Sequence, residues 1–587
     1  MKTLHRITLI ALFAFGFTLS QPGFAREIKI QVAVTGDVHA RLFPYDFLND
    51  RPAATSMANV HYLMEAVRTR QGNNLILLDN GDLLQGTPAA YYANFVQESD
   101  KNLFARVMNL MKYDAATIGN HDIEAGPQVY NRLVEEFDFP WLAANVLDSE
   151  TGEPYFKPYT IITRQRVRIA VLGLTTTGVP NWLPPHLWEG MVFQDMAEAA
   201  SYWVPYILEN EQPDALIGLF HSGMGPLYPD PSEFPLENAS GHVARTVPGF
   251  DLIFTAHDHR QRVHTVINQE GGEVLLLGAG HFAENLAVAE LSFTRLGRRD
   301  FVLEDVRGEM VPTAKVVPSH TFINTFEKDV QEIIAFSNET IGQITRPMHS
   351  IEALFGSAPF TDLVHEIQLR LTAADISFTA PLAFDETIPA GPLRMRDLFR
   401  LYEYENYLYT MELSGQEITD YLEYSYGLWF NEMSHEGDHL LNLHRDQRGR
   451  VPSDRRGRHA LRNPAFNFDS AAGIRYQVDV SRPVGSRVSI LEMQDGEVFD
   501  PAATYRVAIN SYRGSGGGGH LTEGAGIARE TLSERIVATT ENDLRSEMIG
   551  YFREMGEVVP ESMDNWEVVP REWKEKGKNK DLPYLRP

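Results

Sequence analysis

The 587-residue sequence contains no cysteine. Disulfide bonds are therefore excluded, and so is a lipid anchor attached to an N-terminal cysteine. A chain of this length can fold without disulfides even after export, because its apolar cores are large enough to stabilise it. The absence of cysteine is therefore compatible with an exported protein.

Positive charge is scarce as well. The chain has 52 lysines and arginines against 79 acidic residues, which gives a formal net charge of −27. The acidic residues are spread along the chain, and such a surface repels the phosphate backbone of DNA and RNA polymers. We therefore predict no nucleic-acid polymer as a partner. A small anionic substrate would need a local positive charge, and a bound metal ion could provide it.

No segment has the length of a stable membrane span. The apolar stretch from Ile7 to Leu19 follows the basic residues Lys2 and Arg6 and precedes the small residues Gly23 and Ala25. It is too short to cross a bilayer comfortably, and the pattern is typical of a signal peptide. We predict a signal peptide over residues 1–25 and a periplasmic or secreted mature protein. An uncleaved membrane anchor is the alternative.

The first half of the chain alternates between buried strands and helical segments. Near-continuous apolar runs of this length are typical of strands buried on both faces. Their alternation with helices predicts an α/β domain, in which ligands bind at the carboxyl ends of the strands. Each predicted strand lies at the start of one of the following stretches, and polar residues come after it: "IKIQVAVTGDVHA" (28–40), "NLILLDNGDLLQG" (74–86), "DAATIGNHD" (114–122), "DALIGLFHSG" (214–223) and "DLIFTAHDH" (251–259).

Five of these strands end in side chains that can bind metals. Each such residue alone is weak support, because aspartate is common in turns and a single histidine is usually structural. Together they predict a metal site, since burying so many polar groups at one edge is costly unless they are coordinated. Carboxylate, imidazole and amide groups suit Zn²⁺ or Mn²⁺, and the set is large enough for two ions and for phosphoester hydrolysis. The residues are Asp37, His39, Asp82, Asn120, His121, His221, His257 and His259.

The ordered series Asp-x-His, Gly-Asp, Gly-Asn-His-Asp, His and His-x-His resembles the calcineurin-like metallophosphoesterases. Within them the chain resembles the two-domain 5′-nucleotidase family, and especially its periplasmic 2′,3′-cyclic-nucleotide 2′-phosphodiesterase/3′-nucleotidase branch. The resemblance implies a four-layer α/β/β/α sandwich over residues 26–315 and a C-terminal α+β substrate domain over residues 343–570. The apolar spacing after Ser319 predicts one helix over residues 316–342 that joins the domains, with Ser319 as its N-cap, and an ordinary C-terminal helix of the first domain is the alternative. Residues 571–587 are expected to form a polar tail.

The same resemblance implies a role for each site residue. Asn120 and His121 also face the substrate, and His121 matches the catalytic histidine. A carboxylate orients that imidazole, and the sequence leaves open whether it is Asp122 or Glu124. The implied ligands of two divalent ions, with Asp82 bridging, are Asp37, His39, Asp82 and His259 for the first and Asp82, Asn120, His221 and His257 for the second.

Two tyrosines of the second half match the positions at which this family stacks the nucleobase. They are Tyr404 in "LYEYENYLYTMELSG" and Tyr512 in "INSYRGSGGGGHL", and purely structural tyrosines are the alternative. The run Gly516–Gly519 could be a phosphate-binding loop or a plain flexible loop. The Gly-Gly-x-Arg motif of many 5′-nucleotidases is missing from "ADISFTAPLAF" (374–384), which favours the cyclic-nucleotide branch.

We therefore predict a hydrolase that cleaves 2′,3′-cyclic, 3′- or 5′-nucleotides, for nucleotide catabolism and scavenging of phosphate and nucleosides. Two alternatives stay open. One is a phosphatase of a non-nucleotide ester, and the other is a nucleotide-binding relative without turnover. The sequence does not determine the oligomeric state or the preferred ester.

Overall fold

The structure is a computed structural model, and it describes residues 27–230, 235–297, 300–452 and 457–586. The predicted signal peptide, residues 1–25, lies outside the described residues. None of the helices in the described ranges combines the length and the apolar character that a membrane crossing requires.

Two six-stranded sheets form the centre of the first domain. Each sheet contains four neighbouring parallel strands. In the first sheet two antiparallel strands follow at one edge, and in the second sheet one antiparallel strand lies at each edge. The first sheet has the order Phe301–Pro312, Asn285–Arg295, Glu27–Thr35, Leu75–Asp79, Ala115–Thr117 and Trp141–Leu142. The second has the order Gln261–Ile267, Glu273–Ala279, Leu252–Thr255, Ala215–His221, Val167–Thr175 and Tyr159–Arg164.

Helices cover the outer face of each sheet, while the inner faces pack against each other. Ile30 and Val32 of the first sheet lie in one apolar cluster with Ile217 and Leu219 of the second. The domain therefore has the predicted four layers, α/β/β/α. The outer helices are Met57–Gln71, Leu103–Met111 and Pro127–Glu136 on the first sheet and Met196–Asn210 and Ser240–Thr246 on the second. Shorter elements in the connections are Tyr45–Asp46, Arg51–Pro52, Pro88–Tyr91, Asn120–Glu124, Val146–Asp148 and Met191–Phe193.

The connection between the domains contains two helices rather than the single predicted helix. They span His320–Thr325 and Glu327–Asn338, and Phe326 between them leaves the helical conformation with φ −109° and ψ 14°. Phe326 is buried against Phe43 and Phe322, so packing of this ring accompanies the break. The predicted N-cap is confirmed, because the Ser319 side chain accepts a hydrogen bond from Phe322 N.

The second domain mixes sheets with helices, as predicted for an α+β domain. Its main sheet has the order Ser470–Ala472, Ile376–Thr379, Thr504–Asn510, Leu408–Ser414 and Ile536–Thr539. Two three-stranded sheets are Gly391–Arg394, Thr340–Ile344, Glu557–Val558 and Val488–Met493, Ile474–Asp479, Trp566–Val569. The helices are Pro359–Thr372, Met395–Leu401, Gly415–Trp429, Ser511–Gly514, Leu544–Met555 and Arg571–Leu585, and the remaining pair of strands is Met348–His349 and Thr387–Ile388.

The segment predicted as a polar tail forms the last of these helices and is anchored to the second domain. Asp581 in this helix is buried, and its carboxylate accepts hydrogen bonds from Leu440 N at 2.9 Å and Leu441 N at 2.8 Å. The Nδ1 atom of His439 contacts the same carboxylate. Most of the lysines and glutamates of this helix stay at the surface, which is why the sequence is polar although the helix is docked.

Candidate metal centre and adjoining cavity

The predicted metal ligands lie together where strands of both sheets end. Asp37 and His39 follow the strand Glu27–Thr35, and Asp82 follows Leu75–Asp79. In the second sheet, His221 is the last residue of its strand, and His257 and His259 follow Leu252–Thr255. Residues more than 200 positions apart in the sequence are therefore brought to one edge of the architecture, as the strand pattern predicted.

Six of these residues form two clusters that could each hold a metal ion. The first cluster is Asp37, His39 and His259, and the second is Asp82, His221 and His257, with the ligand atoms of each cluster within 4.8 Å of one another. In the first, His39 Nε2 lies 3.0 Å from His259 Nε2. This separation is short enough for both nitrogens to bind one cation.

Asn120 extends the second cluster. Its Oδ1 atom lies 3.1 Å from His221 Nε2, and Asp82 Oδ2 lies 3.2 Å from the same nitrogen. The other ring nitrogen of His221, Nδ1, is 2.7 Å from the carbonyl oxygen of Asn80, which fixes the ring orientation. Nε2 of His221 is therefore directed at the point where the amide and carboxylate oxygens meet.

The backbone of the ligand loops is strained. Asp37, His39, Asp82, His257 and His259 all have φ between 46° and 72°, in the left-handed region that residues other than glycine rarely adopt. Such conformations persist only when the surrounding structure imposes them, and they concentrate at functional sites. Here the loops hold one another, because Asp37 N donates to Gly81 O at 2.9 Å and His39 N to Asp82 O at 3.0 Å.

Gly119 lies so close to the Asp82 side chain that a residue with a Cβ atom does not fit there. A Cβ atom at Gly119 would lie 2.2 Å from Asp82 Oδ1, far inside any real contact. The amide of the neighbouring His121 donates to the same Oδ1 atom at 2.9 Å. The glycine of "GNHD" thus allows the strand end to pack directly on the central carboxylate.

His121 is paired with Glu124, which resolves the choice that the sequence leaves open. The Nδ1 atom of His121 contacts Glu124 Oε2, one helical turn later. Asp122 points away from the imidazole, and its carboxylate accepts hydrogen bonds from the amides of Gly119, Asp82, Leu83 and Leu84 at 2.8–3.1 Å. Asp122 therefore organises the loop backbone, and its predicted place among the catalytic side chains has no contact to support it.

Burial and neighbouring charged side chains shift the pKa values of three residues at this site. Burial lowers the pKa of His121, but the carboxylates of Glu124 and Asp82 outweigh burial and raise that pKa to about 10. Burial also opposes ionisation of Asp82, yet His221 and His121 hold the pKa of this carboxyl well below its usual range. Burial raises the pKa of Asp37 well above its usual range, because no protein cation fully compensates its charge.

A cavity of about 260 Å³ opens beside these side chains and reaches the second domain. Asn120, His121 and His257 line it on the first domain. Tyr404 and Tyr512, the two tyrosines predicted to contact a base, line it on the second. The structure therefore brings Asn120, His121 and Glu124 together with Tyr404 and Tyr512 at one cavity between the domains, whereas Asp122 does not line it.

Comparisons with known proteins agree with this architecture. A family model described as calcineurin-like phosphoesterase matches residues 30–261, and a model described as 5′-nucleotidase, C-terminal domain, matches residues 340–523. The chain belongs to the calcineurin-like metallophosphoesterases that carry a 5′-nucleotidase C-terminal domain. It is accordingly a metal-dependent hydrolase of phosphoesters.

Two curated relatives and one solved structure illustrate the similarity of this metallophosphoesterase. The trifunctional nucleotide phosphoesterase protein YfkN of Bacillus subtilis is 27% identical over 93% of this chain, but the match covers only 39% of YfkN. The 2′,3′-cyclic-nucleotide 2′-phosphodiesterase/3′-nucleotidase of Yersinia enterocolitica is 25% identical over 93% of this chain and 89% of its own length. A Staphylococcus aureus protein described as a candidate 5′-nucleotidase shares the fold with a TM-score of 0.74 and 22% identity, over 92% of this chain and 100% of that one.

The side chains of this metallophosphoesterase fit a pair of divalent cations. Two carboxylates, one amide oxygen and four imidazoles suit Zn²⁺ or Mn²⁺ better than Mg²⁺ or Ca²⁺, which prefer oxygen ligands. The raised pKa of Asp37 fits as well, because a bound cation would supply the positive charge that this buried carboxylate lacks.

Several cavity residues of the metallophosphoesterase were not predicted from the sequence. Phe466 lines the cavity next to Tyr404, with the two rings 6.2 Å apart and edge to face. Trp182 stacks on His257 at 5.5 Å, and Glu237 Oε1 lies 3.0 Å from His257 Nε2. Phe466 lies in the single 3-10 turn Ala465–Asn467, and Trp182 and Glu237 lie in loops. None of these segments has a periodic pattern or a recognisable motif, so only long-range packing identifies them.

Proposed function

We propose that this metallophosphoesterase hydrolyses phosphoesters of nucleotides, namely 2′,3′-cyclic, 3′- or 5′-nucleotides, in nucleotide catabolism and in scavenging of phosphate and nucleosides. The observation that carries the proposal is the shared cavity. His257 of the second metal-binding cluster lines one end together with Asn120 and His121, and aromatic rings of the second domain line the other. A molecule with a phosphate at one end and a planar base at the other matches both ends.

The proposed ligand sets follow the two clusters. Asp37, His39 and His259 hold one ion, and Asn120, His221 and His257 hold the other. Asp82 is buried and interacts electrostatically with both His39 and His221, so we assign it to both ions. Bound divalent ions would supply Lewis-acid stabilisation of the charge on the phosphoryl oxygens and an activated water.

His121 is the proposed catalytic acid. Its Nδ1 atom is held by Glu124, which leaves Nε2 free of that contact at the wall of the cavity. With a pKa of about 10 the imidazole carries a proton at neutral pH. We propose that this proton is donated in a hydrogen bond to the phosphoryl group or transferred to the leaving oxygen, a contribution worth about 10²–10⁴-fold in rate.

Tyr404 and Tyr512 are the proposed contacts for the base. Each stacking contact with a nucleobase contributes about 1–3 kcal/mol and depends little on the identity of the base. Because relatives named as 2′,3′-cyclic-nucleotide 2′-phosphodiesterase/3′-nucleotidase match over about nine tenths of their length, we place cyclic and 3′-nucleotides first among the candidate esters.

We also propose that the protein acts in the periplasm or the medium. The basic, apolar and small residues in its first 25 positions support export. Cell fractionation with N-terminal sequencing of the recovered protein tests this point. A mature chain that starts near Arg26 supports export, and an uncleaved cytoplasmic chain contradicts it.

A substrate panel tests the catalytic proposal directly. Protein reconstituted with Mn²⁺ or Zn²⁺ is assayed with 2′,3′-cyclic AMP, 3′-AMP, AMP and p-nitrophenyl phosphate, with chelator-treated protein as the control. The proposal predicts a kcat/KM at least about 10-fold higher for one nucleotide than for the aryl ester, since stacking of the base contributes that much or more. Equal values for all esters would favour a phosphatase of non-nucleotide esters.

A further inference from the structure

One buried guanidinium lies behind the aromatic end of the cavity. Arg513 is 1% exposed, and its side chain uses all five of its N–H groups. Nε and Nη2 donate to the two oxygens of Asp469, each at 3.0 Å. Nη1 donates to Gly517 O at 2.7 Å and Asn467 Oδ1 at 3.2 Å, and Nη2 donates to Phe466 O at 2.7 Å.

Two of these bonds lead to the rings that line the cavity. Nη2 of Arg513 donates to the backbone carbonyl of Phe466, and the Phe466 ring contacts the Tyr404 ring edge to face. Nη1 of Arg513 donates to the backbone carbonyl of Gly517, and Gly517 packs against the Tyr512 ring. A Cβ atom at Gly517 would lie 2.5 Å from the Tyr512 ring. The guanidinium carbon itself lies 5.3 Å from the centre of that ring.

Part of the glycine run packs against this guanidinium. A Cβ atom at Gly518 would lie 2.0 Å from Arg513 Nη1, and Gly516, Gly518 and Gly519 all have φ between 71° and 93°. His520 closes the same loop with Nε2 at 3.0 Å from Asn467 O. This run, which the sequence leaves open as a phosphate-binding loop or a plain flexible loop, lies with Gly517 and Gly518 against a protein guanidinium in the structure.

We infer that Arg513 and Asp469 are a positioning pair, which sets the distance between Tyr404 and Tyr512 and thereby the preference for base-bearing substrates. The inference rests on the proposed nucleotide function. Neither residue lines the cavity or touches the metal clusters. A bidentate Arg–carboxylate pair fixes geometry in a way that a lysine cannot, because the ammonium group lacks the planar fork of donors.

The test compares Arg513→Lys with Arg487→Lys. Arg487 is equally buried in the same domain, and it donates to the backbone carbonyls of Arg482, Tyr426 and Phe430, none of which lines the cavity. Selectivity is measured as the ratio of kcat/KM for 3′-AMP to that for glycerol 2-phosphate, which has the same class of leaving alcohol but no base. The pair 5′-AMP and glycerol 1-phosphate is measured in the same way.

We expect Arg513→Lys to lower the selectivity ratio about 10-fold and Arg487→Lys to change it less than about twofold, while both lower the melting temperature. A ratio that Arg513→Lys leaves unchanged overturns the inference, and so does an equal fall in both variants, because general loosening of the domain would then explain it. A wild-type enzyme that does not prefer the base-bearing ester refutes the nucleotide function itself.

A second pair of variants keeps the inference testable if Arg513→Lys does not fold. Gly517→Ala places a methyl group against the ring and the backbone carbonyl of Tyr512, and it replaces neither Arg513 nor Asp469. Gly550→Ala is its control, since a Cβ atom there meets no atom within 4 Å. We expect the selectivity ratio to fall in Gly517→Ala only. An unchanged ratio in Gly517→Ala would show that the position of Tyr512 does not determine selectivity.

Discussion

Replacing Glu124 by glutamine tests how the protein keeps its catalytic histidine charged. Glutamine has the same shape and still reaches His121 Nδ1, but it removes the negative charge that favours the imidazolium. The change therefore separates the charge of Glu124 from its hydrogen bond. It also tests the structural finding that Glu124, and not Asp122, orients the imidazole.

The structure gives the size of the effect. The pKa of His121 is about 10 because Glu124 and Asp82 outweigh the effect of burial. Without the charge of Glu124, Asp82 alone opposes the effect of burial and the pKa of His121 falls. We take the ordinary value of about 6.5 as the expected pKa in the variant, at which about 3% of the enzyme carries the imidazolium at pH 8. Loss of protonation alone lowers kcat about 30-fold at this pH. With weaker orientation of the ring, we expect a loss of about 10²–10³-fold in total.

The assay is the pH profile of kcat for metal-saturated wild type and Glu124→Gln between pH 5 and 9. We expect the wild type to show no alkaline decline from His121 within this range, since the pKa of that group is about 10. In Glu124→Gln the decline should begin near pH 6, and the loss relative to wild type should shrink to about 10-fold at pH 5.5, where the imidazolium is restored.

Asp122→Asn is the control for this experiment. Asp122 accepts hydrogen bonds from four backbone amides, so the asparagine places an NH₂ group against buried N–H donors. We expect a loss of about 2–4 kcal/mol in the free energy of unfolding, and no alkaline decline of kcat between pH 5 and 9, as in the wild type. A Glu124→Gln profile with the same loss at every pH, or with wild-type kcat, would refute the role given to the Glu124 charge.

Three further predictions concern the metals, the base and the pH dependence of stability. Treatment with a chelator should lower the melting temperature by several degrees and Mn²⁺ or Zn²⁺ should restore it, because ions bind only the folded clusters; an unchanged melting temperature contradicts the metal assignment. Tyr404→Ala should lower the ratio of kcat/KM for 3′-AMP to that for glycerol 2-phosphate by about 5- to 100-fold, and an unchanged ratio dismisses stacking. His365 is buried between Ser377 and Ser470, and burial lowers its pKa to about 3, so stability present above pH 6.5 is lost as the pH falls towards 3. Urea unfolding should show that wild type loses about 2 kcal/mol more than His365→Gln between pH 7 and 5, and equal losses would exclude His365 as the cause.

The sequence predicted which side chains come together in the two clusters, because their signal is local. Each ligand follows a short apolar strand, and parallel strands of a sheet end at the same edge. The position of Asp37, Asp82 and His257 along the chain therefore indicates where they lie in space. The four layers follow from the same alternation of strand and helix. This part of the prediction requires no knowledge of which helix packs where.

The parts that the sequence did not predict depend on contacts between distant segments. Phe466 and Trp182 line the cavity because loops from different parts of the chain meet there, and neither loop has a periodic pattern. The break at Phe326 depends on the rings of Phe43 and Phe322, which the helical spacing does not reveal. The choice between two acids near His121 depends on the helix, where a residue three positions on shares a face with the imidazole and the adjacent residue does not.

The strained ligand loops are ordered before any ion binds. Five ligands have left-handed backbone, each at a cost of about 1 kcal/mol or more, and the hydrogen bonds between the loops compensate for part of it. The same hydrogen bonds place the carboxylates and imidazoles before any ion binds. An ion therefore meets ligands that are already ordered, and less of its binding free energy is spent on ordering them. A substitution that relaxes the backbone, such as Asp37→Gly, removes a ligand and this preorganisation together, whereas Asp37→Asn removes only the charge. If the loops are preorganised as described, the glycine variant should bind Mn²⁺ more weakly than the asparagine variant in calorimetry, and equal affinities would contradict the argument.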